Sequence, residues 1–289
     1  MKKIAVIQDL SGLGRCSLAA AIPVLSAMGV QACALPTSIL SAQTGFSGSV
    51  QLDLTTEMEE FTNHWYSLSE TFDGIYSGFL GNIAQVKHVD YFLDKFFIQD
   101  TFYLADPILG DHGKSFPFIT TELFEGIRSL TRRATVITPN LTELCLLAEV
   151  DFEELTASAG EETYFQKIAT VCNILFSHSH KLQTIVVTGI LRKKEDTTYM
   201  ANLVMPRDGR FHVVEEKYTG VGFSGTGDLF ASVLAGCVAK DIPLEEGARI
   251  ALDFLLPPIK EATAAKTDRH YGVGFEAYLW KLGEQVHDR

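Results

Sequence analysis

The residues with the most chemical potential lie between Thr219 and Ala231, where the chain reads Thr-Gly-Val-Gly-Phe-Ser-Gly-Thr-Gly-Asp-Leu-Phe-Ala. Ser224, Gly225, Thr226, Gly227 and Asp228 lead directly into an apolar run of small side chains. Small residues let several backbone N–H groups converge at the positive end of the helix that follows, and that makes a cradle for an anion. An Asp at this end is held ionised by the helix field. From there it would reach the proton of a hydroxyl attacking the cradled anion. The plainer reading of Asp228 is an N-terminal helix acid without a chemical duty.

A second group of oxygen ligands falls at the ends of apolar runs. Asp106 follows Thr101 to Ala105, with Asp111 a little further on, and Asn140 and Glu143 follow Ala134 to Ile137. Hard oxygens of this kind suit Mg²⁺ held through waters and phosphates. Singly each is a cap or turn former; together on one rim they are a stronger signal. The loop Gly110-Asp111-His112-Gly113-Lys114-Ser115 is either a mobile polar loop or a lid over bound phosphates. It is not a Walker loop, because Ile108 stands where the first glycine would be. Gly12-x-Gly14-x-x-Ser17 fails as a dinucleotide fingerprint: the third Gly is Ser, and the second strand ends Cys33-Ala34-Leu35-Pro36 without the expected acid. His178 and His180 have no third metal ligand nearby.

These residues need elements to hold them. Lys3 to Gln8 reads as a strand, Asp9 to Gly14 as a turn, Ser17 to Met28 as a helix and Val30 to Leu35 as a second strand. Strand, helix, strand implies a parallel sheet. The alternation recurs with strands Gly74 to Phe79, Thr101 to Ala105, Ala134 to Ile137 and Thr184 to Thr188, and helices Ala84 to Phe97 and Tyr164 to Ser177. Asn140 caps a helix through Ala148, with Glu143 completing a capping box. Thr197 to Met205 and Phe211 to Glu216 leave no room for a helix between them and read as an antiparallel hairpin at a sheet edge. Arg192 to Asp196 reads as a solvated turn. The tail is helical over Gly225 to Ala239, Leu244 to Lys260 (interrupted at Pro257-Pro258) and Phe275 to Glu284. Trp65 and Trp280 read as packing residues on amphipathic helices. The fold class is α/β: one domain, 1–289, a three-layer αβα sandwich around a mostly parallel sheet. Ligands in such folds sit at the carboxyl ends of the strands.

Composition narrows the partners. The chain has 289 residues, 46% hydrophobic and 21% charged, a globular balance. A net charge of −12 argues against a nucleic-acid footprint and against adsorption to anionic membrane. Five scattered cysteines without a CxxC exclude a disulfide scaffold or zinc ribbon and fit a reducing cytoplasm. The opening apolar run, Ile4 to Ile7, suits a strand and not a signal peptide.

At Ser224-Gly225-Thr226-Gly227-Asp228 the chain resembles the ribokinase-like small-molecule kinases. Ile7-Gln8, Pro36-Thr37, Ser41-Ala42-Gln43-Thr44-Gly45, Ala105-Asp106-Pro107-Ile108-Leu109-Gly110-Asp111 and Ile137-Thr138-Pro139-Asn140-Leu141-Thr142-Glu143, with Gly225 to Ala231 itself, bring it close to the vitamin-kinase branch. They occur in the family's order, so the chain resembles pyridoxal/pyridoxamine kinases. The resemblance implies a ribokinase-like fold and ATP-dependent phosphorylation of the 5′-hydroxymethyl of a B6 vitamer. It casts Asp228 as the base and Gly225, Thr226 and Gly227 as the anion hole. Asp106, Asn140, Glu143, Thr188, Gly189, Phe223 and Ser224 would serve ATP, with Asp106 and Glu143 organising Mg²⁺ partly through water. Asp9, Ser11, Gln43, Thr44 and Phe79 would face the vitamer, and Gly110 to Lys114 would form the lid. A monovalent cation, a homodimer and a cytoplasmic setting also follow from the resemblance. Two positions depart from many relatives: Asp9 replaces Ser, and Gln43 replaces His. An Asp9 carboxylate at the ring would favour pyridoxamine, then pyridoxine, then pyridoxal, unless it only caps its own turn. The alternative activity is hydroxymethylpyrimidine kinase, which shares these phosphoryl-transfer motifs. A catalytically silent vitamer-binding protein would not need Asp228.

Overall fold

The computed structural model describes residues 1–218 and 220–287; Thr219, where the glycine-rich stretch begins, lies outside them. The chain divides into two units, Met1–Phe102 with Thr219–Arg289, and Tyr103–Tyr218.

The first unit opens with β1 (Lys3–Ser11), α1 (Ser17–Ala27), β2 (Gln31–Leu40), β3 (Gln51–Asp53), α2 (Thr55–Ser67), β4 (Gly74–Ser77) and α3 (Ile83–Phe96). Its strands lie in the order β4-β1-β2-β3. β1 is parallel to both β2 and β4, and β3 is antiparallel to β2. Ile4 through Asp9 are all buried. Successive strand residues face opposite sides, so an unbroken buried run means that both faces of β1 are covered.

The strands outrun the sequence expectation. Asp9 to Ser11 belong to β1 and not to a turn, and β2 continues past Pro36 to Leu40. The pairing jumps from Gln8↔Pro36 to Leu10↔Ile39, leaving one residue on β1 opposite two on β2. That bulge absorbs the N–H missing at Pro36 and leaves Asp9 at the irregularity. β3 gives no sequence signal, having three exposed residues, and α2 is the amphipathic helix expected around Trp65, burying only Met58 and Thr62. Trp65 packs against Phe61, Phe72 and Phe92, as expected.

The second unit runs through β5 (Phe102–Ala105), β6 (Gly110–Asp111), β7 (Lys114–Ser115), α4 (Thr121–Arg133), β8 (Val136–Ile137), α5 (Leu141–Ala148), α6 (Phe152–Thr156), α7 (Tyr164–Ser177), β9 (Thr184–Lys194), β10 (Thr197–Pro206) and β11 (His212–Lys217). The order is β11-β10-β9-β8-β5, with β6 and β7 forming a separate hairpin. β5, β8 and β9 are parallel, and β9, β10 and β11 antiparallel, so the edge hairpin stands. Arg192 to Lys194 are strand, which corrects the turn expected over Arg192 to Asp196. Glu215 on β11 pairs with both Arg192 and Lys194, and these contacts offset the charge of the run.

The chain then returns to the first unit with α8 (Thr226–Ala239), α9 (Leu244–Ala264) and α10 (Leu279–His287). α8 packs between α1 and α9 and is buried along most of its length. α9 passes through Pro257 and Pro258 without ending. Ile250, Phe254, Leu255, Pro258 and Ala262 are buried along it, and packing outweighs the missing hydrogen bonds. Trp280 is 58% exposed and packs less than expected. Among the described residues, no helix is long and apolar enough to cross a membrane.

Candidate active site

The glycine-rich stretch forms the expected cradle at the start of α8. Gly225 is the cap residue, with φ +80°. A Cβ there would lie 1.8 Å from the Arg15 carbonyl oxygen, so both backbone conformation and space demand glycine. Above Gly227 the space is open: no heavy atom lies within 4 Å of where its Cβ would be. Thr226 Oγ1 donates to the Phe223 carbonyl at 2.9 Å, which turns its hydroxyl back toward the cap. Phe223 itself is buried. Ser224 N donates to the Arg269 carbonyl at 3.0 Å. Asp228 sits in the first helical turn, half-buried.

Asp9 and Asp228 both act on one thiol. Burial first, then the Asp228 carboxylate, with Asp9 contributing less, push Cys16 up to about 12. Cys16 therefore stays protonated and inert as a nucleophile. Asp9 is 3% exposed, and Ser11 Oγ donates to its Oδ2 at 3.0 Å. Burial holds the Asp9 carboxyl above its usual range, and hydrogen bonds from Ser17 and Ser11 oppose that rise. Ser17 adopts φ +48°, a left-handed conformation that is costly for a non-glycine residue.

Gln43 is engaged at both ends of its amide. Its Oε1 accepts from Gly45 N at 2.7 Å, and its Nε2 donates to the His270 carbonyl at 3.0 Å. Thr44 is exposed and Phe79 partly exposed.

In the second unit the two expected acids come together. Asp106 and Glu143 are both buried. Burial pushes Asp106 to about 7, and Thr138, donating to its Oδ1 at 2.8 Å, resists. Burial and the Asp106 charge hold Glu143 well above the carboxylate range. Glu143 Oε1 accepts from Leu109 N at 3.0 Å and Oε2 from Asn140 N at 2.8 Å. Asn140 Oδ1 accepts in turn from Glu143 N, so the capping box is formed. Two buried, mutually repelling carboxylates suit a cation. Among the described residues no cluster of three or more His, Cys, Asp or Glu could hold one, so any ion would complete its shell with water or phosphate oxygens.

The expected lid is a hairpin turning through His112 and Gly113, both at positive φ. It is tied to the start of α5: Asn140 Nδ2 donates to the Gly110 carbonyl at 2.8 Å, and Gly113 N donates to Thr142 Oγ1 at 2.9 Å. Asp111 and Lys114 pair across it. Thr188 bridges to Asn140 and Gly189 has φ +67°, where β9 bulges against β10. Gly189 N donates to Asn202 Oδ1 at 3.3 Å.

The contacts made by Cys16, Ser17, Thr138 and Asn202 lie outside the roles the sequence assigns. Thr138 was legible beside Pro139-Asn140; the others gave no local signal.

The first unit carries a glycine-capped helix with an Asp and the second carries buried strand-end acids, each a feature of an ATP-dependent small-molecule kinase. Residues 14–273 match the family model described as phosphomethylpyrimidine kinase, and the chain belongs to that family. A crystal structure with pyridoxal, of a provisionally assigned phosphomethylpyrimidine kinase from Bacteroides thetaiotaomicron, is 34% identical with a TM-score of 0.88, covering 97% of this chain and 95% of that one. Pyridoxal kinase from Lactobacillus plantarum is 25% identical with a TM-score of 0.86, covering 100% and 99%. A provisionally named pyridoxal kinase of Schizosaccharomyces pombe is 22% identical, covering 96% and 89%. The α/β sandwich expected from the sequence is the fold these structures share.

Proposed function

We propose that this chain transfers the γ-phosphoryl group of ATP to the 5′-hydroxymethyl of a B6 vitamer (pyridoxal, pyridoxamine or pyridoxine), giving the 5′-phosphate and ADP. The observation that carries this reading is the cradle at α8: Gly225 forced by the Arg15 carbonyl, open space above Gly227, and Asp228 in the first turn. Phosphoryl transfer needs little covalent help from a protein and much positioning and charge stabilisation. Asp228 takes the proton from the attacking hydroxyl. The N–H groups at Gly225, Thr226 and Gly227 hold the charge on the transferring group.

Asp106 would hold Mg²⁺, with Glu143 acting through water. Mg²⁺, when bound, neutralises charge on the nucleotide phosphates. Asn140, Thr188, Gly189 and Ser224 would serve those phosphates, and Phe223 the adenine. Asp9, Ser11, Gln43, Thr44 and Phe79 form the vitamer side, with the Gln43 amide acting as a bracket. The hairpin from Gly110 to Lys114 closes over the nucleotide and then exchanges more slowly with solvent. Residues 1–289 act as one vitamin-kinase domain in the cytoplasm, with a monovalent cation as an optional aid. A homodimer is supported by Leu10, Ile39, Val50 and Leu52, apolar residues exposed around the open edge at β3.

Hydroxymethylpyrimidine is the second reading, favoured by the description of the family model. Steady-state ATP turnover with pyridoxal, pyridoxamine, pyridoxine and hydroxymethylpyrimidine separates the two. A kcat/KM at least tenfold higher for hydroxymethylpyrimidine than for any B6 vitamer overturns the first. No turnover with any of them leaves only a binding protein.

A further inference from the structure

Three consecutive carbonyls near the end of the chain each accept a hydrogen bond from a different loop. The Arg269 carbonyl accepts from Ser224 N at 3.0 Å, the His270 carbonyl from Gln43 Nε2 at 3.0 Å, and the Tyr271 carbonyl from Arg15 Nη1 at 3.4 Å. The donors belong to the loop before α8, the loop after β2 and the loop before α1. These loops carry the cradle, the Gln43 bracket and the Arg15 carbonyl that presses on Gly225.

Other contacts bind these loops to the turn and to the residues just after it. Arg15 Nε donates to Glu276 Oε1 at 2.6 Å. The Phe46 ring meets the His270 ring at 5.6 Å and the Tyr271 ring at 5.0 Å. A Cβ on Gly272 would lie 3.0 Å from both Arg15 Cβ and the Ser224 carbonyl oxygen. The turn has a fixed footing as well. Val273 and Phe275 just beyond it are 0% and 1% exposed, and the Phe275 ring packs edge-on against Phe254 of α9 at 6.4 Å.

We propose that the turn Arg269–Tyr271 is a positioning element for the phosphoryl cradle and the vitamer side of the site, holding in one register three loops that also touch one another through Gln43 N to the Leu13 carbonyl and Arg15 against Gly225. None of its side chains needs to touch substrate. The three carbonyls act through Ser224, Gln43 and Arg15. Catalytic geometry is sensitive to displacements of about an ångström, so a shared anchor for the cradle and the opposing bracket protects the rate. The vitamer part of this proposal rests on the function proposed above; the anchoring part does not.

The test is hydrogen exchange, which needs no substrate. Gln43→Met removes the donor to the His270 carbonyl and touches the turn nowhere else in this hydrogen-bond set. If the turn couples the loops, amides from Ser224 to Asp228 exchange at least about tenfold faster in this variant, although Gln43 is remote from them in sequence. Exchange at Ser224 to Asp228 equal to that of the unmodified protein overturns the proposal. Arg15→Lys keeps the charge but loses the guanidinium fork to Tyr271 and Glu276. It serves as the second variant, with the same expectation, should Gln43→Met fail to fold. The kinetic readout is a split: kcat/KM for the hydroxylated substrate falls about tenfold or more, while KM for ATP stays within about twofold. Faster exchange without turnover of any B6 vitamer sustains the anchor and removes only the vitamer assignment. A rise in KM for ATP as large as the loss for the hydroxylated substrate, tracking a lower melting temperature, indicates a general packing role and overturns the positioning claim.

Discussion

Gly225 and Arg15 approach so closely that no side chain fits between them: a Cβ on Gly225 would sit 1.8 Å from the Arg15 carbonyl oxygen. The cap of α8 is therefore built against the loop before α1. Gly225→Ala meets two penalties. A left-handed φ costs a non-glycine residue roughly 1–2 kcal/mol, and the clash with backbone adds to it. We expect a loss of about 2 kcal/mol or more in urea unfolding and a kcat below that of any variant at exposed Gly227. A Gly225→Ala protein as stable as the parent would mean that the approach is looser in solution.

Asp228→Asn keeps the shape of the first helical turn and removes the base. We expect kcat to fall on the order of 10² to 10⁴ with KM for ATP nearly unchanged, since no uniform binding contact is lost. Near-normal kcat would reduce Asp228 to a helix acid.

Asp9 allows a sign-determined pH prediction. Its folded-state carboxyl is raised above the ordinary value by burial. The folded protein therefore holds this proton more tightly than the unfolded chain, and ionising Asp9 destabilises the fold as pH rises through the raised value. Asp9→Asn should melt higher than the parent at pH 7.5, and the gap should close as pH falls toward 4. A gap independent of pH would show that the charge is not the cause. The same variant checks the vitamer preference: the ratio of pyridoxamine to pyridoxal kcat/KM should fall about ten- to a hundredfold, the range of one charge-assisted hydrogen bond. With Ser11 and Ser17 already bonded to Asp9, an unchanged ratio would assign the carboxylate to its own loop.

Glu143 stands in two roles that mutation separates. Glu143→Ala leaves the N–H groups of Leu109 and Asn140 without their acceptor, a loss of about 1–3 kcal/mol. If Glu143 also organises Mg²⁺, the metal concentration for half-maximal rate rises and excess metal partly restores activity. A lower melting temperature with unchanged metal dependence would leave only the capping box.

Features that depend on residues a few positions apart are legible in the local pattern. The capping box of Asn140 and Glu143 was readable because both bonds span three residues. The bounds of α7, the edge hairpin of β10 and β11, and the cradle from Ser224 to Asp228 follow from local pattern in the same way. Features that depend on distant segments come from packing. Gln43 reads as a ring-pocket residue, but its amide is spoken for by a carbonyl 227 positions away. β1 continues through Asp9 because β2 offers partners beyond a bulge, and α9 survives two prolines because its buried face holds it. Only the folded chain brings the Arg15 carbonyl to Gly225, and that contact makes glycine the one residue its cap accepts. Hydrogen bonds within a turn are fixed by chain geometry, whereas close approach across hundreds of residues is fixed by packing.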